Sequence, residues 1–352
     1  MRIFLGRDAE TGKRSYRNHT VHGTKKDAQR YLTATLRDRD LGTFAEPSSD
    51  PLGQFLDRWL ETAAKPKLKT KTFRDYQNIL TRYVRPSLAK RPLVDVTPLD
   101  LQAIYKDIQV RGLSARTVRY THAVVRSALQ QAVKWRMLTS NPADAVELPK
   151  QSRKEVQVLS AEQTRAFLKA ANKDRLGALF SLAVTAGLRP SEYLALKWPD
   201  LNLGAGTIRV VRSLDWFHGG GWEFAETKRP RSRRTIKLQT HVISALRAHR
   251  TTQDKLRCDA ANRWTENDLI FTTRTGGPLD ERNVAQQDFV RVLKAANLPT
   301  NFRLYDLRHT AATLALEAGV QPKVVSEMLG HASAAFTLDV YSHVLPHMQE
   351  SA

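Results

Sequence analysis

Between residues 51 and 150 apolar side chains recur at helical spacing in four successive runs. Phe55, Trp59 and Leu60 share one face, and Phe73, Tyr76, Ile79, Leu80 and Tyr83 mark a second helix, expected to stop near Pro86. Thr97 before Pro98 reads as an N-cap followed by proline at the first helical position, with Leu101, Ile104, Tyr105 and Ile108 continuing the stripe. Ser114 caps a fourth helix through Val118, Val125, Leu129 and Trp135, which Ser140–Asn141–Pro142 is expected to end. Four such helices predict an all-α bundle. Upstream, RIFLG and KRSYRNHTV alternate like strands around a turn, and Thr24 with Asp27 opens a helix whose apolar positions are Ala28, Tyr31, Leu32 and Leu36, closed by Leu41–Gly42. EPSSDP, Glu46 to Pro51, is a linker by composition, and LPKQSRKEVQ, Leu148 to Gln157, is a charged one. Ser160 with Gln163 then opens a larger domain that mixes helices with short strands at Thr207–Val211 and Leu269–Phe271. The expected organisation is therefore multidomain: a small β+α module over 1–46, an all-α helical bundle over 51–150, and a mixed, mainly α (α+β) domain over 155–352.

Charge changes this picture. The 352 residues hold 56 Lys and Arg against 35 Asp and Glu, a net charge of +21 and a pI near 10.2, the electrostatic footprint of a partner rich in phosphates. The excess is densest in the bundle, with 18 basic and 8 acidic residues over 51–150. Two stretches there suit phosphate oxygens: KPKLKTKT, with Lys65, Lys67, Lys69 and Lys71, and SARTVRY, with Ser114, Arg116 and Arg119 at a helix N-terminus. Either stretch alone reads equally well as a solvated loop. No apolar run approaches the ~18 residues of a membrane span, and no hydrophobic signal core opens the chain. The single cysteine, Cys258, allows neither an internal disulfide nor a zinc cluster, so a cytoplasmic protein is the simple expectation.

The last domain carries four short stretches with candidate chemistry. TAGLRPSEYLALKW sets Arg189 in a tight junction between apolar runs, with Glu192 three residues on as partner or orienter; a structural Arg–Glu pair is the plainer reading. FAETKRPRSRRTIKL, after HGGG, reads as a β-hairpin with a basic tip bearing Lys228, Arg229 and Arg231, with Lys228 at the end of its first strand. RLYDLRHTAATLALEAG starts a buried helix with Arg308 and His309, an expensive place for charge unless an anion sits there. LGHASAAFTLDVYSHV holds His331, Tyr341 and His343, of which His343 reads as an ordinary helix-end histidine.

In this order and spacing the four stretches resemble the tyrosine recombinase family, the phage integrases. The resemblance implies a DNA strand transferase needing neither ATP, metal nor cofactor. Tyr341 would be the nucleophile on a phosphodiester of double-stranded DNA, leaving a 3′-phosphotyrosine. Arg189 and Arg308 would clamp the non-bridging oxygens, His331 would add a donor, and Lys228 would protonate the leaving 5′-oxygen. It further implies a homo-tetramer joining two attachment sites through a Holliday junction, with accessory DNA-bending or excision factors as possible partners, in the integration or excision of a mobile element. The bundle resembles the family's core-DNA-binding domain and the first module its arm-binding domain. One position departs from the pattern: where the family usually has histidine, three residues before the second arginine, this chain has Tyr305. A phenol, with an ordinary pKa of ~10, is a poor base near neutrality. His309 is the nearest alternative in sequence, though a buried structural donor is the plainer reading of it. Two rival functions share many of these features. A type IB topoisomerase-like enzyme would use the same chemistry to relax DNA, and a non-catalytic DNA-binding relative would keep only the basic surface.

Overall fold

The computed structural model describes residues 2–7, 12–18, 20–40, 49–151, 156–217, 220–226 and 233–341. Of the sequence features singled out above, Leu41–Gly42, residues 46–48 of the first linker, residues 152–155 of the second, Lys228, Arg229, Arg231 and His343 lie outside them. The fold is mostly helical with small antiparallel sheets, and the chain forms two compact units, Met1–Arg153 and Lys154–Ala352. No helix among the described residues is long and apolar enough to cross a membrane.

In the first unit, strands β1 (Arg2–Arg7) and β2 (Arg14–Asn18) pair antiparallel ahead of helix α1 (Lys25–Asp40). Thr24 caps α1 reciprocally with Asp27, whose carboxylate accepts from the Thr24 amide at 2.9 Å. Tyr31, expected on the buried face of α1, stands 41 % exposed.

The bundle follows, with α2 (Leu52–Trp59), α3 (Thr70–Ile79), α4 (Arg85–Leu88), α5 (Pro98–Val110) and α6 (Ala115–Lys134). Of the predicted stripes, Phe55, Trp59, Leu60, Leu80, Leu101, Ile104, Tyr105, Ile108, Val118, Val125 and Leu129 are buried together, whereas Phe73, Tyr76, Ile79, Tyr83 and Trp135 pack against them half-buried. Two boundaries differ from expectation. Pro86 does not stop the second helix. The chain widens into a π-turn at Leu80–Val84 and restarts at Arg85, so proline sits in a first turn where its missing N–H is harmless. The fourth helix ends at Lys134, before Ser140–Asn141–Pro142, because Arg136 takes a left-handed conformation (φ 61°).

The second unit opens with α7 (Ala161–Ala171), capped reciprocally by Ser160 and Gln163. Helix α8 (Gly177–Ala186) is apolar on every side and almost wholly buried, so it forms the unit's central post. Around it run the short helix α9 (Pro190–Tyr193), strands β3 (Leu201–Asn202), β4 (Thr207–Val210), β5 (Arg212–Trp216), β6 (Trp222–Glu226) and β7 (Arg234–Lys237), and the long helix α10 (Thr240–Ala260). Helices α11 (Glu281–Asn283), α12 (Val290–Ala295), α13 (Asp306–Glu317), α14 (Pro322–Leu329) and α15 (Ala334–Tyr341) complete it. The hairpin expected around Lys228 is not formed by its flanking strands: β6 pairs with β5, whereas β7 joins a separate sheet of order β3-β4-β7. Gly220 and Gly221, both at positive φ, turn β5 into β6 instead. Leu269–Phe271 is buried as expected of a core strand, but it makes only an isolated bridge to Lys197.

Candidate active site

Arg308 enters on the first turn of α13 and is 1 % exposed. A guanidinium so placed needs acceptors, and two helix ends supply them. One Nη donates to the Gly187 carbonyl at 2.6 Å, the other to the Leu329 carbonyl at 2.8 Å. Gly187 closes α8 and Gly330 closes α14, each in the left-handed conformation that turns the final carbonyls outward. A Cβ on Gly187 would stand 2.6 Å from the Leu329 side chain, so glycine there also lets the two helix ends meet. The negative ends of two helix dipoles thus hold the cation. Among the described residues no carboxylate forms an ion pair with it. Burial, and then Arg189 nearby, lower its pKa to about 10.

Arg189 stands just outside, one-third exposed, in the turn between α8 and α9. Its amide and its guanidinium both donate to Glu192, at 2.9 and 2.8 Å. Glu192 is buried and takes two further bonds from Arg234 on β7, at 3.2 and 2.8 Å. Burial alone would raise the Glu192 carboxyl's pKa; Arg234 and Arg189 together hold it below the usual value. Arg234 also donates through Nε to the Met328 carbonyl at 2.6 Å, tying β7 to the end of α14. In the sequence Arg234 stands unmarked within a run of basic residues. The available signal was period two: Arg234 shares a strand face with buried Ile236.

His331 follows the Gly330 turn. Its Nδ1 bonds the Thr337 hydroxyl at 2.8 Å and its ring lies edge-on to Phe336. Burial first, then the charges of Arg308 and Arg189, push its pKa down to about 4. It is therefore a neutral imidazole at pH 7, and the tautomer protonated at Nε2 is the one in which Thr337 donates to Nδ1. Tyr341, at the end of α15, is buried, and its hydroxyl lies 2.8 Å from His309 Nδ1. Burial raises its pKa to about 12, while Arg308 pulls the other way. Tyr305, 39 % exposed, sets its ring edge-on to His309 at 5.3 Å between centroids. The Tyr305–Arg308 turn is anchored by buried Asp306, which accepts from the Arg303 amide and guanidinium.

Arg189, Glu192, Tyr305, Arg308, His309, His331 and Tyr341 thus gather at one place where α8, α13, α14 and α15 meet. The arrangement offers fixed positive charge, a neutral donor and a phenol held by an imidazole. Of the bundle residues proposed for DNA, Lys65 pairs with Glu61 at 2.6 Å and Arg119 donates to the Pro149 carbonyl at 2.9 Å. Lys67, Lys69, Lys71, Ser114 and Arg116 are exposed.

A profile described as the phage integrase family matches residues 157–348, more than half of the chain and all of the site above. The chain belongs to the phage integrase family. A second profile, the N-terminal SAM-like domain of phage integrases, matches residues 52–109. Among curated proteins, the integrase is 27% identical over 368 residues to a tyrosine recombinase XerC-like protein of Caldanaerobacter subterraneus, covering 99% of this chain and 93% of that one. It is 25% identical to the ICEBs1 integrase of Bacillus subtilis, covering 99% and 94%. Among solved structures, the Tn1549 transposon integrase in complex with transposon right end DNA superposes with a TM-score of 0.70 at 19% identity, over 86% of this chain and 99% of that one. A lambda integrase tetramer bound to a Holliday junction gives 0.59 at 21% identity, over 95% and 90%. At these identities the superpositions show a shared fold.

Proposed function

We propose that this integrase recombines two duplex DNA sites using Tyr341 as nucleophile and Arg189, Arg308 and His331 as the phosphate clamp. The observation that carries the reading is the burial of Arg308 on two carbonyls, with no carboxylate partner among the described residues, beside the Tyr341 phenol. Such a cation keeps its charge for a ligand, and a phosphodiester gains negative charge as the phenol attacks. Two fork-shaped guanidinia match the non-bridging oxygens, and the neutral His331 donates without competing for the phenol's proton. Lys228, between β6 and β7, protonates the departing 5′-oxygen; this role rests on the family resemblance alone. Attack then exchanges one phosphodiester for another, so the released strand can be rejoined without an external energy source.

The modular reading follows: 1–46 as an arm-type DNA-binding module, 51–150 as the core-DNA-binding bundle, supported by the SAM-like match, and 155–352 as the catalytic domain. Attachment sites in double-stranded DNA are the partners, and a homo-tetramer performs the exchange in the bacterial cytoplasm, with accessory DNA-bending factors setting direction. The test is a nicked duplex bearing the core site, from which the cleaved end diffuses away. The wild type should accumulate a covalent protein–DNA band and Tyr341→Phe none, with DNA affinity unchanged. A surviving band in that variant would remove Tyr341 from the role.

A further inference from the structure

Attack by Tyr341 requires its proton to go somewhere. At pH 7 only ~0.1% of an ordinary tyrosine is ionised, and burial makes the Tyr341 phenol harder still to ionise. Position 305, where the family pattern has an imidazole, holds a second phenol. His331 is poorly placed to take a proton: Thr337 occupies its Nδ1, and Arg308 and Arg189 disfavour a further positive charge on it. His309 is the group actually in contact with the reacting oxygen. It sits one helical turn beyond Tyr305 on α13, and its Nδ1 is 2.8 Å from the Tyr341 hydroxyl.

Resting on the assignment of Tyr341 as nucleophile, we infer that His309 is the general base of this enzyme, the imidazole function having moved one turn along α13 from the position occupied by Tyr305. In the step, the Tyr341 Oη–H bond breaks and its proton passes to His309 Nδ1. The oxygen lone pair forms the new bond to phosphorus. The bond from phosphorus to the 5′-oxygen breaks, and that oxygen takes a proton from the general acid. On religation the imidazolium returns its proton to Tyr341, so the enzyme emerges unchanged. Arg308 disfavours the transient imidazolium, whereas the extra negative charge on the attacked phosphate offsets it at the moment it forms. Tyr305 packs against the ring and fixes its plane.

The test separates proton acceptance from packing. His309→Asn keeps an acceptor oxygen near the Nδ1 position but cannot take up a proton at neutral pH. On the nicked duplex, its single-turnover rate of covalent band formation should fall by at least about 100-fold, within the span usual for general bases. Replacing Tyr341 by 2,3,5-trifluorotyrosine, whose phenol is far more acidic, should shrink that loss to less than about tenfold, since little base assistance is then needed. An equal loss with both phenols, or no loss with tyrosine, overturns the proposal. His309→Gln serves as the second variant should His309→Asn fail to bind DNA like the wild type. A band persisting in Tyr341→Phe would instead refute the nucleophile, so the two failures are distinguishable.

Discussion

A guanidinium buried without a carboxylate, as at Arg308, is expensive to keep, since the interior disfavours uncompensated charge. Carbonyls lower that expense while leaving the net charge intact, which a carboxylate would not. The neighbouring His331 registers the same field. Its folded pKa of about 4 lies below the ordinary 6.5, so the unfolded chain takes up a proton first as pH falls. The sign is therefore that His331 contributes stability that is fully present above pH 6.5 and is lost as pH drops toward 4. Two outcomes are expected. The His331 ring should titrate near pH 4 by NMR in the free protein, with the midpoint rising when DNA brings a phosphate between it and the arginines. Denaturation profiles of wild type and His331→Asn should converge as pH falls through that window, and a constant difference between them would contradict the assignment.

Among the elements, β7 matters more than its four residues suggest. Through Arg234 it joins Glu192 on α9 to the last turn of α14, so Arg189 and Arg308, the two arms of the proposed clamp, share one brace. Arg234→Met should leave Glu192 buried with half its compensation and destabilise the protein by about 3 kcal/mol in urea titration. Arg234→Lys should restore little of it, because one ammonium cannot reproduce a bidentate contact plus a bond to Met328. Elements of this kind resist reading from sequence. The bundle helices were legible because each announces itself locally, with a cap such as Thr97 or Ser114 and a stripe at helical period. The partner of β7 is β4, more than twenty residues upstream, and the glycines that turn β5 into β6 carry no signal of where β7 will pair. At Pro86 the sequence shows a helix breaker, and only the fold shows the π-turn at Leu80–Val84 after which the proline falls in a first turn. Three of the four sequence stretches meet at the described site, and the residue Lys228 of the fourth lies outside the described residues. The contact between His309 and Tyr341, 32 residues apart, required the fold.

At the scale of the whole molecule, a net charge of +21 makes DNA binding a salt-sensitive event. The logarithm of affinity should fall linearly with the logarithm of salt concentration, at a slope of about −0.9 per phosphate neutralised. Lys67→Ala and Arg116→Ala, both at exposed bundle positions, should each flatten that slope by about one. A response that ignores both substitutions would move the DNA face elsewhere on the protein. The basic surface of the bundle belongs to a compact unit with its own core, whereas the Arg308 clamp exists only where the last turns of α8 and α14 come together. Gly187 and Leu329 stand far apart in the chain, so a polypeptide still emerging from the ribosome, with α14 not yet made, lacks the second carbonyl that holds Arg308, and the proposed site cannot assemble before synthesis passes Leu329.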